Sequence, residues 1–147
     1  NSIMKHWSMN SCLKDGTGPR KFMLTNNKAL ICWGDISYQL GRGFTPKKQV
    51  ARFHKLAEAG DMIWLYDNGN KGGYIAYGEI TETVWVPCTE PIEGWSNTAF
   101  QYTIPIEWNH IPSDSWFGTC KARPPTLHEI GVGSPICGKL DDFYNLL

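Results

Sequence analysis

Residues 60–80 read GDMIWLYDNGNKGGYIAYGEI, and this stretch decides the fold of the chain. Met62 to Tyr66 is a continuous apolar run of strand length, and a second strand-like segment runs from Tyr74 to Thr83. Between them, residues 67–73 are rich in glycine and asparagine, which is typical of a hairpin turn. Gly78 indicates a bulge or a close packing contact within the second strand. We therefore expect two antiparallel neighbouring strands here.

The rest of the chain contains further strand-like segments. They are Met4–Met9, Ala29–Trp33 and Phe100–Ile104, the last continuing through Ile106–Trp108 after Pro105. Residues 10–28 are turn-rich and basic, so we expect an excursion from the core rather than a core element. Residues 113–135 are irregular, with paired prolines and three glycines.

The clearest helix begins after Thr45, a suitable N-cap, with Pro46 in the first helical position. Gly60 is a good C-terminal stop. Apolar residues recur at helical spacing on one face, at Val50, Phe53, Leu56 and Ala57. A short final helix is expected over residues 139–147. These elements together predict an α+β fold, a small mixed β-barrel flanked by a few helices.

The length and composition indicate one domain of an ordinary globular protein. The chain has 147 residues, of which 41% are hydrophobic and 19% charged. We expect a single domain over residues 4–147 and interpret residues 1–3 as a remnant of cloning or processing. No apolar run approaches the roughly 20 residues of a membrane helix, and no signal-peptide pattern is present. Five widely spaced cysteines without a Cys-x-x-Cys pair favour a reducing, cytoplasmic setting.

The sequence contains no recognisable motif for catalysis. The four histidines have no metal-ligand spacing, and neither a P-loop nor a Gly-x-Ser-x-Gly elbow occurs. The carboxylates of Glu79 and Glu82 are more simply explained as solvated or ion-paired groups. We therefore expect a protein that is not an enzyme and that holds no metal or cofactor.

Tryptophans supply the positive evidence for binding. The chain has seven, of which Trp33 precedes Gly34, Trp95 follows Gly94, and Trp85 ends a strand-like segment two residues before Pro87. An indole stacks on a nucleobase for about 1–3 kcal/mol, so we interpret Trp33 and Trp95 as walls of a base pocket and Trp85 as a third. Core packing is the competing interpretation for each of them, and it is preferred for Trp64 and Trp108.

A base pocket also needs polar groups that hold the edge of the base. Trp33 is followed by Gly34 and Asp35, and Asp35 or Ser37 is placed to make such a contact. A methyl group adds apolar area and removes one donor hydrogen from an amine. A closely fitting pocket senses such a difference at about 1–3 kcal/mol.

Charge is distributed unevenly along the chain. Residues 1–72 contain eleven basic and five acidic side chains, a net charge of +6, and the remainder has three basic and nine acidic ones, a net charge of −6. This asymmetry suggests a basic face that meets phosphates, although a solvated surface without a partner is the alternative. The candidate phosphate-binding residues are Lys14, Arg20, Lys21, Arg42, Lys47, Lys48 and Arg52.

The order of these motifs resembles the PUA-like superfamily, especially its EVE and YTH branches. Met4–Trp7 is similar to the first strand of EVE domains, and Trp33–Gly34 resembles the strand end that supplies one pocket wall in both branches. Gly60–Tyr66 and Gly72–Ile80 look like the Gly-Asp-apolar-Tyr strand and the strand after it. Trp95–Pro112 is similar to the YTH stretch in which a pocket tryptophan precedes a phenylalanine-rich strand.

The resemblance implies a reader of modified bases. YTH domains hold N6-methyladenine between tryptophans, EVE domains are linked to modified cytosine or other altered bases, and related domains form the recognition end of McrBC-type modification-dependent restriction enzymes. By position, Trp33 and Trp95 would be the cage walls. Gly34 stands where YTH domains have a serine after the tryptophan, so the polar contacts of this pocket differ from theirs.

The expected function is therefore binding of DNA with recognition of a methylated base, N6-methyladenine first, flipped into a tryptophan cage. We expect a monomeric targeting domain of a modification-dependent restriction system, fused to or working with an NTPase or nuclease module and independent of membranes. Three alternatives stay open: a YTH-type RNA reader of N6-methyladenine, an ASCH-like enzyme acting on nucleosides or modified bases, and a protein-interaction domain without nucleic-acid binding.

Overall fold

The computed structural model describes residues 4–10, 19–31, 48–67, 73–92, 101–112, 114 and 127–131, with Lys48 described in its backbone alone. Two helices lie in these ranges, α1 (Pro19–Asn26) and α2 (Lys48–Leu56). The strands there are β1 (His6–Asn10), β2 (Lys28–Ile31), β3 (Met62–Tyr66), β4 (Tyr74–Glu79), β5 (Val86–Pro87), β6 (Tyr102–Pro105), β7 (Asn109–His110) and β8 (Leu127–Ile130). Neither described helix is long and apolar enough to cross a membrane.

The strands form two sheets. One has five strands in the order β7-β4-β3-β1-β8, and the other has three in the order β2-β6-β5. All neighbours are antiparallel except β1 and β3, which run parallel, so the chain between them crosses over and includes α1, β2 and α2. The α+β class is confirmed. The described strands do not form the expected closed barrel, because the two sheets remain separate and each has two edge strands.

One hydrophobic core joins both sheets and both helices. Its members include Trp7 and Met9 from β1, Ile63 and Leu65 from β3, Leu30 and Ile104 from the smaller sheet, Phe22 and Met23 from α1, and Val50 and Phe53 from α2. Successive side chains of a strand point to opposite faces, so β1 and β3 each give one alternating set of residues to this core. The helix predicted from Pro46 with Gly60 as its stop is present as α2 and ends at Leu56, and it buries the apolar face that its periodicity indicated.

The other face of the five-stranded sheet is lined by aromatic and polar side chains. Trp64 Nε1 donates a hydrogen bond to Nδ1 of His6 over 3.0 Å, and the Tyr74 hydroxyl donates to Oγ of Ser8 over 2.8 Å. These four side chains are all buried. Buried polar groups are tolerated when they are hydrogen-bonded, and these two bonds connect β1 to β3 and β4.

The β3–β4 pairing predicted from residues 60–80 is confirmed. The two strands are antiparallel, with Met62 opposite Glu79 and Ile63 opposite Gly78. The expectation of close packing at Gly78 is confirmed as well. A Cβ atom there would lie 2.5 Å from Cγ2 of Ile106 and 2.8 Å from the carbonyl oxygen of Glu107. The absence of a side chain lets the segment between β6 and β7 pass directly over β4.

Other parts of the chain differ from the sequence-based expectation. Helix α1 lies within residues 10–28, where an excursion was expected, and β8 lies within the irregular residues 113–135. The strand predicted to Thr83 ends at Glu79. Strand β8 is four residues long and depends on its pairing with β1, which no local pattern reveals. Residues 68–72 of the turn expected over 67–73, and the helix expected over 139–147, fall outside the described residues.

Candidate nucleic-acid interface

The candidate pocket and phosphate contacts fall only partly within the described residues. Outside them lie Trp33, Gly34, Asp35, Ser37 and Trp95 of the pocket, and Lys14, Arg42 and Lys47 of the basic set. The residues whose side chains are described are Trp85, Arg20, Lys21 and Arg52. The meeting of Trp33 and Trp95 around a base therefore stays a prediction.

Trp85 packs as a core side chain. It is 6% exposed, and its ring centroid lies 5.5 Å from that of Phe53 on α2. Phe53 in turn meets Trp7 edge to face, with centroids 5.0 Å apart. The Trp85 indole N–H is buried and has no hydrogen-bond partner among the described residues. The burial and the ring contact of Trp85 therefore favour a core position over an open pocket wall.

Arg20 forms an ion pair with a carboxylate of the same chain. Its Nη1 atom lies 2.9 Å from Oδ1 of Asp67, whose side chain is 4% exposed. This charge-assisted hydrogen bond joins α1 to the residue that follows β3. The partners are 47 positions apart, so the sequence alone gave no sign of the pairing. The observed contact of Arg20 is with a carboxylate of this chain, and its predicted contact with a phosphate stays a prediction.

Asp61 is a structural anchor that the sequence-based reasoning did not single out. Its buried carboxylate accepts hydrogen bonds from the backbone N–H of Lys5 at 3.0 Å and of Glu58 at 2.9 Å, and from Nε1 of Trp7 at 3.2 Å. The ammonium group of Lys5 lies 3.6 Å away. The carboxylate thus ties β1 to the chain between α2 and β3 and fixes the orientation of the Trp7 indole.

The outer face of α2, the helix that carries Phe53, has two exposed cations. Arg52 and Lys55 are exposed, as is His54 between them. Val50 and Phe53 on the opposite side of the helix are fully buried. Lys21, on α1, is also exposed. We call the side chains of Arg52 and Lys55 the α2 basic face.

A groove of about 540 Å³ lies elsewhere on the molecule, beside β4 and β7. It is lined by Asn27, Glu79, Thr81, Pro105, Ile106, Glu107 and Asn109. The two glutamates are exposed and make the groove acidic. Carboxylates repel phosphate groups, so this acidic groove is not a surface for a nucleic-acid backbone. The closeness of Glu79 to Glu107 depends on the tight passage at Gly78, which the sequence could not show.

No group of three or more histidine, cysteine, aspartate or glutamate residues suited to a metal is found within the part of the chain that the structure describes. Cys88 is a buried free thiol. The sequence matches no protein-family model and no curated protein. The features of the described chain that bear on function are its aromatic residues, the α2 basic face and the acidic groove.

Proposed function

We propose that this chain is a PUA-like, EVE/YTH-type domain that binds nucleic acid and accepts a methylated base in a tryptophan pocket. DNA is the favoured nucleic acid, and N6-methyladenine is the favoured base. The observation that best supports this function is that α2 presents two exposed cations on one side and packs Phe53 against Trp85 on the other. A surface suited to phosphates and an aromatic core are thus joined by one helix.

The pocket would consist of Trp33 and Trp95 as walls, with Asp35 or Ser37 at the base edge and Gly34 between them. Two indoles provide flat apolar faces for a base that has left its stack, and the methyl group adds to the apolar contact. Trp85 would support this pocket from the core side rather than form an open wall, because its ring packs against Phe53.

The biological role that fits this activity is targeting. We propose that the domain acts in the cytoplasm as the recognition part of a modification-dependent restriction system. A separate NTPase or nuclease module would then cut the nucleic acid, and this domain itself would carry out no reaction. The cations of the domain would hold the sugar-phosphate backbone, so affinity would fall as salt concentration rises.

The test is a titration of methylated and unmodified oligonucleotides against the wild-type protein, Trp33→Ala and Trp95→Ala. We expect both variants to lose the preference for the methylated strand, with affinity for it about 5- to 150-fold weaker, which corresponds to about 1–3 kcal/mol of lost stacking. Trp108→Phe is the matched control, because Trp108 is buried and its Nε1 donates to the carbonyl of Lys28. It should lower stability and keep the preference.

Retention of the methyl preference by both pocket variants would refute the cage assignment. The same oligonucleotides made as RNA separate a DNA reader from an RNA reader. Circular dichroism of each variant shows that the fold is intact, so that a loss of binding reports on the pocket.

A further inference from the structure

The α2 basic face is exposed, and the acidic residues of the described chain near it are Glu58, just after the helix, and Glu129 on the adjacent strand β8. Arg52 and Lys55 are three positions apart, so they lie nearly one helical turn apart, about 4.5 Å along the axis. Both are exposed on the side opposite Val50 and Phe53. In the described part of the chain, the ion pairs involve Lys5, Arg20 and Lys28, and neither cation of this face takes part.

Helix α2 is held firmly in place. Gln49 accepts a hydrogen bond from the backbone N–H of Leu127 on β8 over 2.8 Å, and Phe53 packs edge to face on Trp7 of β1. The helix therefore lies at the β1–β8 side of the five-stranded sheet. Cations on a fixed helix keep a constant spacing, which suits a repeating ligand such as a chain of phosphates.

The acidic groove lies toward the opposite edge of that sheet. It contains Glu79 at the end of β4 and Asn109 on β7, and β7 is the edge strand farthest from β8. The two edge strands are separated by four interstrand spacings of about 4.8 Å each, a total of about 19 Å. This exceeds the Debye length of about 8 Å at physiological salt, so charges at one edge are largely screened from the other. Arg52 and Lys55 thus lie near the β8 edge, which also carries Glu129, whereas Glu79 and Glu107 lie toward the β7 edge.

We propose that the nucleic-acid strand runs along α2 and that Arg52 and Lys55 contact neighbouring phosphates, while the β7 edge with its acidic groove faces away. This inference rests on the proposed function, since it concerns the backbone of the same strand whose base enters the tryptophan pocket. It adds Lys55 to the binding surface and places the path of the strand along α2. The contact is to phosphate only, so it contributes equally to the affinity for methylated and for unmodified strands.

The test measures binding of two fluorescently labelled single-stranded DNA oligonucleotides, identical except for one N6-methyladenine, over a series of salt concentrations. For Arg52→Gln/Lys55→Gln, we expect the slope of log K against log salt to become shallower by about 1.4, since each phosphate contact to a single strand contributes about 0.7. Each single variant should give half of this change. The ratio of the affinities for the two oligonucleotides should stay that of the wild type.

Glu79→Gln/Glu107→Gln is the matched control, because it also removes two charges from exposed side chains, at the other edge of the sheet. Its slope should equal that of the wild type. An unchanged slope in Arg52→Gln/Lys55→Gln, or an equal change in the control pair, would overturn the inference.

The outcomes separate this inference from the proposed function. If the wild type binds both oligonucleotides equally and the salt slope becomes shallower only in the α2 variant, the phosphate contact at α2 is supported and recognition of the methylated base is refuted. If the wild type prefers the methylated strand and the salt slope of the α2 variant equals that of the wild type, recognition of the methylated base is supported and the phosphate contact at α2 is refuted. If the wild type binds neither oligonucleotide, both proposals are overturned.

Discussion

Phe53 on α2 and Trp85, which precedes β5, pack with ring centroids 5.5 Å apart, and this pair joins the basic helix to the smaller sheet. Phe53 also contacts Trp7 on β1, so it stands between the two sheets. The aromatic contacts of this one side chain thus connect the helix with both layers of the fold. Substitution of Phe53 should therefore affect stability far more than substitution of its neighbours on α2.

We expect Phe53→Ala to lower the free energy of unfolding by about 3–5 kcal/mol, because it removes a fully buried ring and leaves a cavity. Urea denaturation followed by tryptophan fluorescence measures this change. His54→Ala is the control on the next residue, where the exposed side chain should contribute within about 0.5 kcal/mol. Similar effects of the two substitutions would contradict the central position of Phe53.

Asp61→Asn should destabilise the protein by about 3 kcal/mol. The amide preserves the size of the side chain but removes the charge opposite Lys5 and replaces one acceptor by a donor facing a bound N–H group. Thermal or urea unfolding gives the value. Glu58→Gln is the control, since the Glu58 side chain is largely exposed and its contact with Lys5 is 3.7 Å long, which predicts a loss of no more than about 1 kcal/mol.

The Arg20–Asp67 pair should act in folding. A double-mutant cycle with Arg20→Gln and Asp67→Asn should give a coupling free energy of about 1–3 kcal/mol, as expected for a charge-assisted hydrogen bond to a buried carboxylate. If Arg20 also contacts phosphate, as the sequence predicts, Arg20→Gln should make the salt dependence of oligonucleotide binding shallower. An unchanged salt dependence would contradict the phosphate contact, and the absence of coupling would contradict the role of the pair in folding.

Gly78→Ala should destabilise the protein by at least about 1–3 kcal/mol, because the added methyl group would meet the backbone oxygen of Glu107 as well as the Ile106 side chain. Gly131→Ala is the matched control, since nothing lies within 4 Å of a Cβ atom built at Gly131. Calorimetric melting temperatures compare the two. A lower melting temperature for Gly131→Ala than for Gly78→Ala would refute the account of the close passage over β4.

The sequence predicted those parts of the fold that a local pattern specifies. The β3–β4 pair, the close packing at Gly78 and helix α2 follow from apolar runs, turn residues and helical spacing, and Trp64 and Trp108 are buried as predicted. Strand β8 was missed because its four residues form a strand through pairing with β1. Helix α1 was missed because its buried residues, Pro19, Phe22 and Met23, form only a short apolar face within a basic, turn-rich stretch.

The candidate site was less predictable than the fold, because it depends on contacts between distant residues. The sequence identified Arg20 as a cation but could not show its pairing with Asp67. It placed Trp85 beside proline, which fits either a pocket wall or a core position, and the contact with Phe53 favours the core position. Lys55 was not among the predicted phosphate-binding residues, because its proposed role depends on its exposure three positions after Arg52 on a helix bonded to β8.

Recognition of a methylated base is tested most directly with two oligonucleotides that differ only in one N6-methyl group. The quantity to measure is the ratio of their dissociation constants for the wild-type protein. A methyl group that enters a closely fitting aromatic pocket contributes about 1–3 kcal/mol, so we expect the methylated strand to bind about 5- to 150-fold more tightly. Equal dissociation constants for the two strands, at a salt concentration where both bind, would show that the protein does not recognise the methyl group.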